Sequence, residues 1–433
     1  MKTFIRMRFS LLPALFLLLA SLSACVKWQP TPRFQNPVLD LRGDPAAPLQ
    51  VGFAAEKITP AGRVWIAGFG AGRRSLGVHD DLFVRALVIR QGPVKILIAA
   101  FDLLGLQGDN VTRLKKAVAG FDPQQIIIVC THDHSAPDVM GLWGPVEMTS
   151  GVDPRYLRLL GLRLAAAAAR AEAAAQPARV FSAVYPMTPG LMFNARLGEP
   201  IDETMSLMAF RDLDGKTIAT LVNSAGHAET MWGDNRYVSS DYPGRVCVLT
   251  EEKFGGGAIF INGATGAMVT PNLPQSSEGR GWPTLERVSR GVFADVERGV
   301  PLLKEQPAPA LRLRRATIVC PTRNPEFILG TMLGILRRPI YPGYSVSVGV
   351  SVFELGDIQA VTFPGEAYPK LGMAVRARQK PQSFQFGLAD DEVGYILYPE
   401  DAAKKLYSYE ASMCVNPELS AMIEKTLTGL LAQ

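Results

Sequence analysis

Short apolar runs rich in β-branched residues alternate along this chain with longer stretches of helical spacing. Residues 84–90 and 94–101 are β-rich and are split by Gly92-Pro93, which predicts a hairpin. Residues 126–130 are apolar without interruption, the pattern of a strand buried on both faces. Further strand-like runs fall at 180–185, 207–211, 217–222 and 258–261, and after Pro307 at 311–320, 344–354 and 358–362. Helical spacing covers 110–119, 154–175, 244–253, 284–300, 368–378 and 417–431. The segment 154–175 opens on a proline and carries an alanine tract, which helix packing explains better than low complexity. Strands and helices interleave without a linker or an internal repeat. The expected class is therefore α/β, with mixed β-sheets flanked by helices in a single large domain over residues 51–433.

The first 50 residues follow a different rule. Lys2, Arg6 and Arg8 precede an apolar run at 11–20, and Leu22-Ser23-Ala24-Cys25 follows. This is the layout of a secretory signal, too short and wrongly flanked for a spanning helix. The Leu-Ser-Ala-Cys ending resembles a bacterial lipobox, which implies removal of residues 1–24 and lipidation of Cys25. Ordinary signal cleavage nearby is the alternative. Val26 follows the cysteine with no aspartate there, which fits outer-membrane sorting. The expected location is the bacterial cell envelope, lipid-anchored, or outside the cell. Residues 25–50 lack periodicity and read as a tether. No other run of about 18 apolar residues is present.

Net charge is +5, and loss of the three leader cations leaves about +2. No basic block or stripe is present, which argues against a nucleic-acid partner. Cys130, Cys247, Cys320 and Cys414 are widely spaced with no Cys-x-x-Cys pair, so a zinc knuckle is excluded. Buried free thiols are expected, with a Cys320–Cys414 bridge the alternative.

Only four histidines are present. His132 and His134 lie in Cys130-Thr131-His132-Asp133-His134-Ser135, directly after the apolar run at 126–130. An i, i+2 pair at a strand exit points both imidazoles to one side, where α/β sheets place ligands. His227 follows the run at 217–222, with Gly226 before it. His79 lies in Gly77-Val78-His79-Asp80-Asp81, ahead of the run at 84–90. One such residue is more often a satisfied core histidine than a ligand, but several at strand exits favour a site. Catalytic zinc wants three or four N/O ligands. Glu366, in Phe363-Pro364-Gly365-Glu366, supplies a carboxylate, unless it serves only the N-terminus of the following helix.

Taken in order, these motifs resemble the neutral/alkaline ceramidase family. The series runs from Ile58-Thr59-Pro60 and Gly77-Val78-His79-Asp80-Asp81 through Thr131-His132-Asp133-His134, Asn194-Ala195-Arg196, Gly226-His227, Ser240-Asp241-Tyr242-Pro243-Gly244 and Asn262-Gly263-Ala264-Thr265-Gly266. It ends with Phe363-Pro364-Gly365-Glu366 and the tyrosines Tyr395, Tyr398, Tyr407 and Tyr409. It covers about residues 51–412, the catalytic domain only, without the C-terminal β-sandwich of longer ceramidases. The resemblance implies Zn²⁺ held by His132, His227, Glu366 and Tyr395, with Tyr398 competing for the last place. It implies His134 as acid/base, and Arg196 and Tyr409 as hydrogen-bond donors to substrate or oxyanion. Asp102, Asp133 or Asp241 would orient the histidines. The expected activity is hydrolysis of the N-acyl amide of ceramide or a related lipid amide by zinc-activated water. The alternatives are another amide or ester, or a non-catalytic envelope lipoprotein on a decayed scaffold. One departure stands out. The family's Gly-Asp-x-Ser-Pro-like stretch reads Gly266-Ala267-Met268-Val269-Thr270-Pro271 here, with the acid missing and Thr270 in place of the serine. Thr270 keeps a hydroxyl for oxyanion binding or nucleophilic attack. Finally, the apolar segment 327–336 is either a lip that dips into lipid or lines an acyl channel, or a buried core helix.

Overall fold

The computed structural model describes residues 39–147, 149–272, 281–307, 309–336, 338, 341 and 343–433. Cys25 and the leader lie outside the described residues. Thirteen longer strands and one short one make the two main sheets; the longer ones are β1 (Leu39–Arg42), β2 (Leu49–Lys57), β3 (Phe83–Gln91), β4 (Val94–Phe101), β5 (Ile126–Cys130), β6 (Gln176–Pro186), β7 (Thr204–Asp212), β8 (Thr217–Ser224), β9 (Gly257–Asn262), β10 (Leu311–Pro321), β11 (Ser345–Leu355), β12 (Ile358–Thr362) and β13 (Gln382–Phe386). The larger sheet has the order β9-β8-β7-β6-β2-β3-β4-β5, with a short strand at Lys304–Glu305 added to β6. Its outer pairs, β4 with β5 and β8 with β9, are parallel and the rest antiparallel. The smaller sheet has the order β1-β10-β11-β12-β13.

The two sheets pack face to face. Leu87, Ile98, Ile127 and Ile259 of the larger sheet share one core with Leu313, Phe353, Ile358 and Phe384 of the smaller. The opposite face of the larger sheet is covered by α1 (Gly108–Ala117), α2 (Pro154–Ala173), α3 (Asp241–Phe254) and α4 (Trp282–Gly299). After α5 (Pro325–Met332), the outer face of the smaller sheet is covered by α6 (Pro369–Arg376) and α9 (Glu418–Leu431). The short helices α7 (Pro399–Ala402) and α8 (Ser408–Ser412) lie between those two in sequence. This is an αββα stack, the mixed α/β class that the interleaved pattern predicts. It explains why β5 reads as unbroken apolar sequence: Ile126, Ile128 and Cys130 face the helices while Ile127 and Val129 face the second sheet.

The alanine tract has a packing cause. Ala167, Ala168 and Ala171 of α2 are buried against β2, where a Cβ on Gly52 would lie 2.0 Å from the Ala171 carbonyl oxygen. Only small residues on both elements allow that approach.

Two expectations change. The tether at 25–50 is too long: β1 is the edge strand of the smaller sheet, pairing Leu39 to Arg42 with Arg315 to Arg312, and β2 begins at Leu49. Arg312 grips Asp40 with two hydrogen bonds at 2.8 and 2.9 Å, so this polar stretch is ordered by pairing rather than by burial. The segment 327–336 is not a buried core helix, since Leu329 and Leu333 are 45 % and 49 % exposed. As expected, Cys130, Cys247, Cys320 and Cys414 are buried free thiols, without a Cys320–Cys414 bridge.

Candidate metal centre

The edges of the larger sheet meet at the exits of β5, β8 and β9. Asn262, the last residue of β9, donates through Nδ2 to the Gly226 carbonyl at 2.7 Å and the Thr131 carbonyl at 3.0 Å. Its Oδ1 accepts from the Gly226 amide at 3.0 Å. One side chain thus ties the His132 loop to the His227 loop. The loops also pair directly, with the His134 amide donating to the Ala228 carbonyl at 2.9 Å. After β5 the chain turns at His132, whose φ of 62° lies in the left-handed region. Such a conformation in a non-glycine residue is uncommon and clusters at functional sites. A Cβ on Gly226 would come within 2.8 Å of Met192 Sδ and 3.0 Å of the Tyr242 hydroxyl, so glycine before His227 is required by space.

Glu366 arrives from the smaller sheet. Glu366–Ala367 pairs in parallel with Tyr395–Ile396, and the Glu366 amide donates to the Gly394 carbonyl at 3.1 Å. Glu366 does not serve the next helix, which starts at Pro369. Its Oε2 lies 3.4 Å from His132 Nε2 and 3.2 Å from His227 Nε2. Donors bound at about 2.0–2.1 Å to one tetrahedral zinc are about 3.3–3.4 Å apart. None of these three atoms makes a hydrogen bond, although all are buried. The opposite ring nitrogens are engaged: His132 Nδ1 donates to the Leu104 carbonyl at 3.0 Å and His227 Nδ1 to the Val269 carbonyl at 2.7 Å. That pairing leaves the Nε2 lone pairs facing each other and Glu366, the arrangement of metal-ligating imidazoles. His134 joins them, and one donor atom from each of the three histidines fits within 4.8 Å of the others. The residues therefore fit a divalent metal bound by nitrogen and oxygen, with His132 and His227 central and Glu366 and His134 beside them.

Charge agrees with the geometry. Burial favours a neutral Glu366, yet His132 and His227 outweigh it and hold the carboxyl well below the usual range. Burial disfavours a His227 cation, but the carboxylates of Glu366 and Glu229 raise its pKa to about 9. Burial, with His132 and His227 adding repulsion, pushes His134 well below 6.5.

The other candidates divide. Tyr395 lines the same cavity as His132 and Glu366, its hydroxyl 3.3 Å from Met268 Sδ. Tyr398 points elsewhere and donates to Glu424 of α9 at 2.6 Å. Tyr409 is half exposed beside the Tyr395 ring, centroids 5.9 Å apart. Arg196 donates through Nε to buried Glu410 at 2.6 Å. Thr270 is buried with its hydroxyl near the Glu229 carboxylate, without hydrogen-bond geometry. His79 is apart from the cluster, stacked on Trp282 at 3.5 Å. None of the three aspartates reaches a histidine through its side chain: Asp102 pairs with Arg85, Asp133 accepts from the Ser135 amide, and Asp241 accepts from Thr230 and Tyr242. Backbone carbonyls do the orienting instead. Two buried acids escaped the sequence reading, Glu229 and Glu392, each with an oxygen that lacks a hydrogen bond. Glu229 stands two residues after His227 in the same strand exit, the one signal that marked it.

The cavity over the cluster is small, about 60 Å³, and is walled by Leu104, Met140, Leu142, Trp143 and Met413. That is room for about two waters. A reacting carbonyl fits there while the bulk of its molecule stays outside.

No family model matches the chain, and no curated protein does. Among solved structures it is similar to a neutral ceramidase from Pseudomonas aeruginosa, with TM-score 0.72 and 18 % identity over 89 % of this chain and 74 % of that one. It is likewise similar to a ceramidase solved in complex with C2, with TM-score 0.70 and 18 % identity over 89 % of this chain and 75 % of that one. The chain has the neutral ceramidase fold, with a buried three-histidine cluster at the strand exits of its larger sheet.

Proposed function

We propose that this protein is a zinc-dependent amidohydrolase that cleaves the N-acyl amide bond of ceramide or a related lipid amide. The observation that carries the reading is the convergence of His132 Nε2, His227 Nε2 and Glu366 Oε2, buried and without hydrogen bonds, under an apolar-walled cavity. These three residues would hold the ion, with Tyr395 as the fourth ligand. Bound zinc supplies a Lewis acid that makes water nucleophilic near neutral pH and polarises the amide carbonyl.

The chain's own residues supply the rest. His134 would take up, at its cavity-facing nitrogen, the proton that the attacking water gives up, and pass it to the leaving amine, whose expulsion as an anion is prohibitive. Its lowered pKa keeps the ring neutral at rest, free to accept that proton, and makes the cation so formed a ready donor. Arg196, Tyr409 and Thr270 donate hydrogen bonds to the carbonyl oxygen as it gains charge. Leu142, Trp143 and Met413 exclude water and contact the acyl chain. A lipidated Cys25 would hold the domain at a bacterial envelope, close to such a substrate.

The test is release of fatty acid from ceramide and from short N-acyl amides by the purified protein. Chelation abolishes turnover and added zinc restores it. His134→Ala keeps its zinc and loses about 100-fold or more in kcat. Turnover indifferent to chelation, or a zinc-loaded protein that cleaves no amide, contradicts the proposal.

A further inference from the structure

Glu229 has no part in the chemistry above, yet its environment is unusual. Its side chain is fully buried and neither carboxylate oxygen makes a hydrogen bond. A buried carboxylate left this way is costly, so the fold holds it for a partner. A basic side chain lies beside it: His134 Nδ1 is 3.7 Å from Glu229 Oε2. Both ring nitrogens of His134 also lack a hydrogen bond, unlike His132 and His227, whose Nδ1 atoms are engaged by carbonyls.

The backbone sets this adjacency. The His134 amide donates to Ala228, the residue before Glu229, and Asp133 bridges Ala228 in parallel. The next residue along, Thr230, is fixed through its amide and hydroxyl by Asp241. Gly68 abuts the same edge of the ring: it has φ +99°, and a Cβ there would sit 2.4 Å from His134 Nδ1. The glycine keeps the Nδ1 side of the ring clear.

We infer that Glu229 is the positioning residue of His134: its carboxylate accepts the Nδ1 proton and commits Nε2 to the metal cavity. The two side chains close by under about 1 Å to reach hydrogen-bond distance. A second cation between them is the rival explanation of the same orphaned atoms. It is disfavoured because a metal site needs three or more donors and only two strong ones converge here. The inference rests on the reading of His134 as the proton donor.

The experiment compares wild type with Glu229→Gln, both zinc-loaded, by ¹⁵N NMR of labelled histidine, metal content and steady-state kinetics. Wild-type His134 is expected to hold a single tautomer protonated at Nδ1. In Glu229→Gln the tautomers mix, kcat falls about 10- to 100-fold with KM nearly unchanged, and metal content stays constant. Glu229→Asp recovers part of the tautomer signal. An unchanged His134 tautomer in Glu229→Gln overturns the inference, as does wild-type metal content that drops from two ions to one in that variant. The tautomer readout needs no turnover, so failure of the amidohydrolase reading is distinguishable from failure of this one.

Discussion

Asp241 shows how much of a residue's role comes from its surroundings. It begins α3 at φ 50°, fully buried, accepting from Thr230 and Tyr242. Burial raises its pKa to about 7 despite those hydrogen bonds. Its unfolded value is near 3.9, so the stability tied to its protonation is complete below about pH 4 and is lost as pH rises through about 7. Asp241→Asn keeps an acceptor and removes the titration. Denaturation midpoints at pH 5 and pH 8 should therefore differ less in the variant than in wild type. Equal pH dependence in the two proteins contradicts the assignment. The sequence marked His132, His134, His227 and Glu366 because each follows an apolar run beside a glycine or a second histidine. It did not mark what orients them. The acceptors are the carbonyls of Leu104 and Val269, and a backbone oxygen leaves no trace in side-chain chemistry.

At the scale of elements, periodicity located the long strands and helices because each buries a face or both faces. It missed β1, whose Leu-Asp-Leu-Arg sequence is held at a sheet edge by the Asp40–Arg312 pair. Nor did it settle the apolar stretch 327–336. The structure places α5 at the rim of the metal cavity: Phe327 lies 3.6 Å from where a Gly394 Cβ would be, and Gly394 lines the cavity. Leu329 and Leu333 project from this rim toward solvent. If the segment is a lip that meets lipid, replacing both leucines by aspartate lowers turnover of long-chain ceramide in vesicles about 10-fold. A short, soluble N-acyl amide is then cleaved at the wild-type rate. Equal losses on both substrates would mean that α5 only supports the fold.

For the whole molecule, class was legible from the order of strands and helices, but the αββα stacking was not. Nothing in a strand's own sequence says whether a helix or a second sheet covers it. β5 reads the same either way, although one of its faces meets helices and the other a sheet. The site depends on that stacking, since the histidines come from the larger sheet and Glu366 from a strand exit of the smaller. Asn262, which ties the β5 and β8 exits together, acts only once both sheet edges have met. The most direct test of the account is the metal content of purified residues 26–433, set beside His132→Ala and Glu366→Ala. About one zinc per chain is expected in wild type and almost none in either variant, with both variants folded. A folded wild type that carries no zinc and takes up none when it is supplied would contradict it.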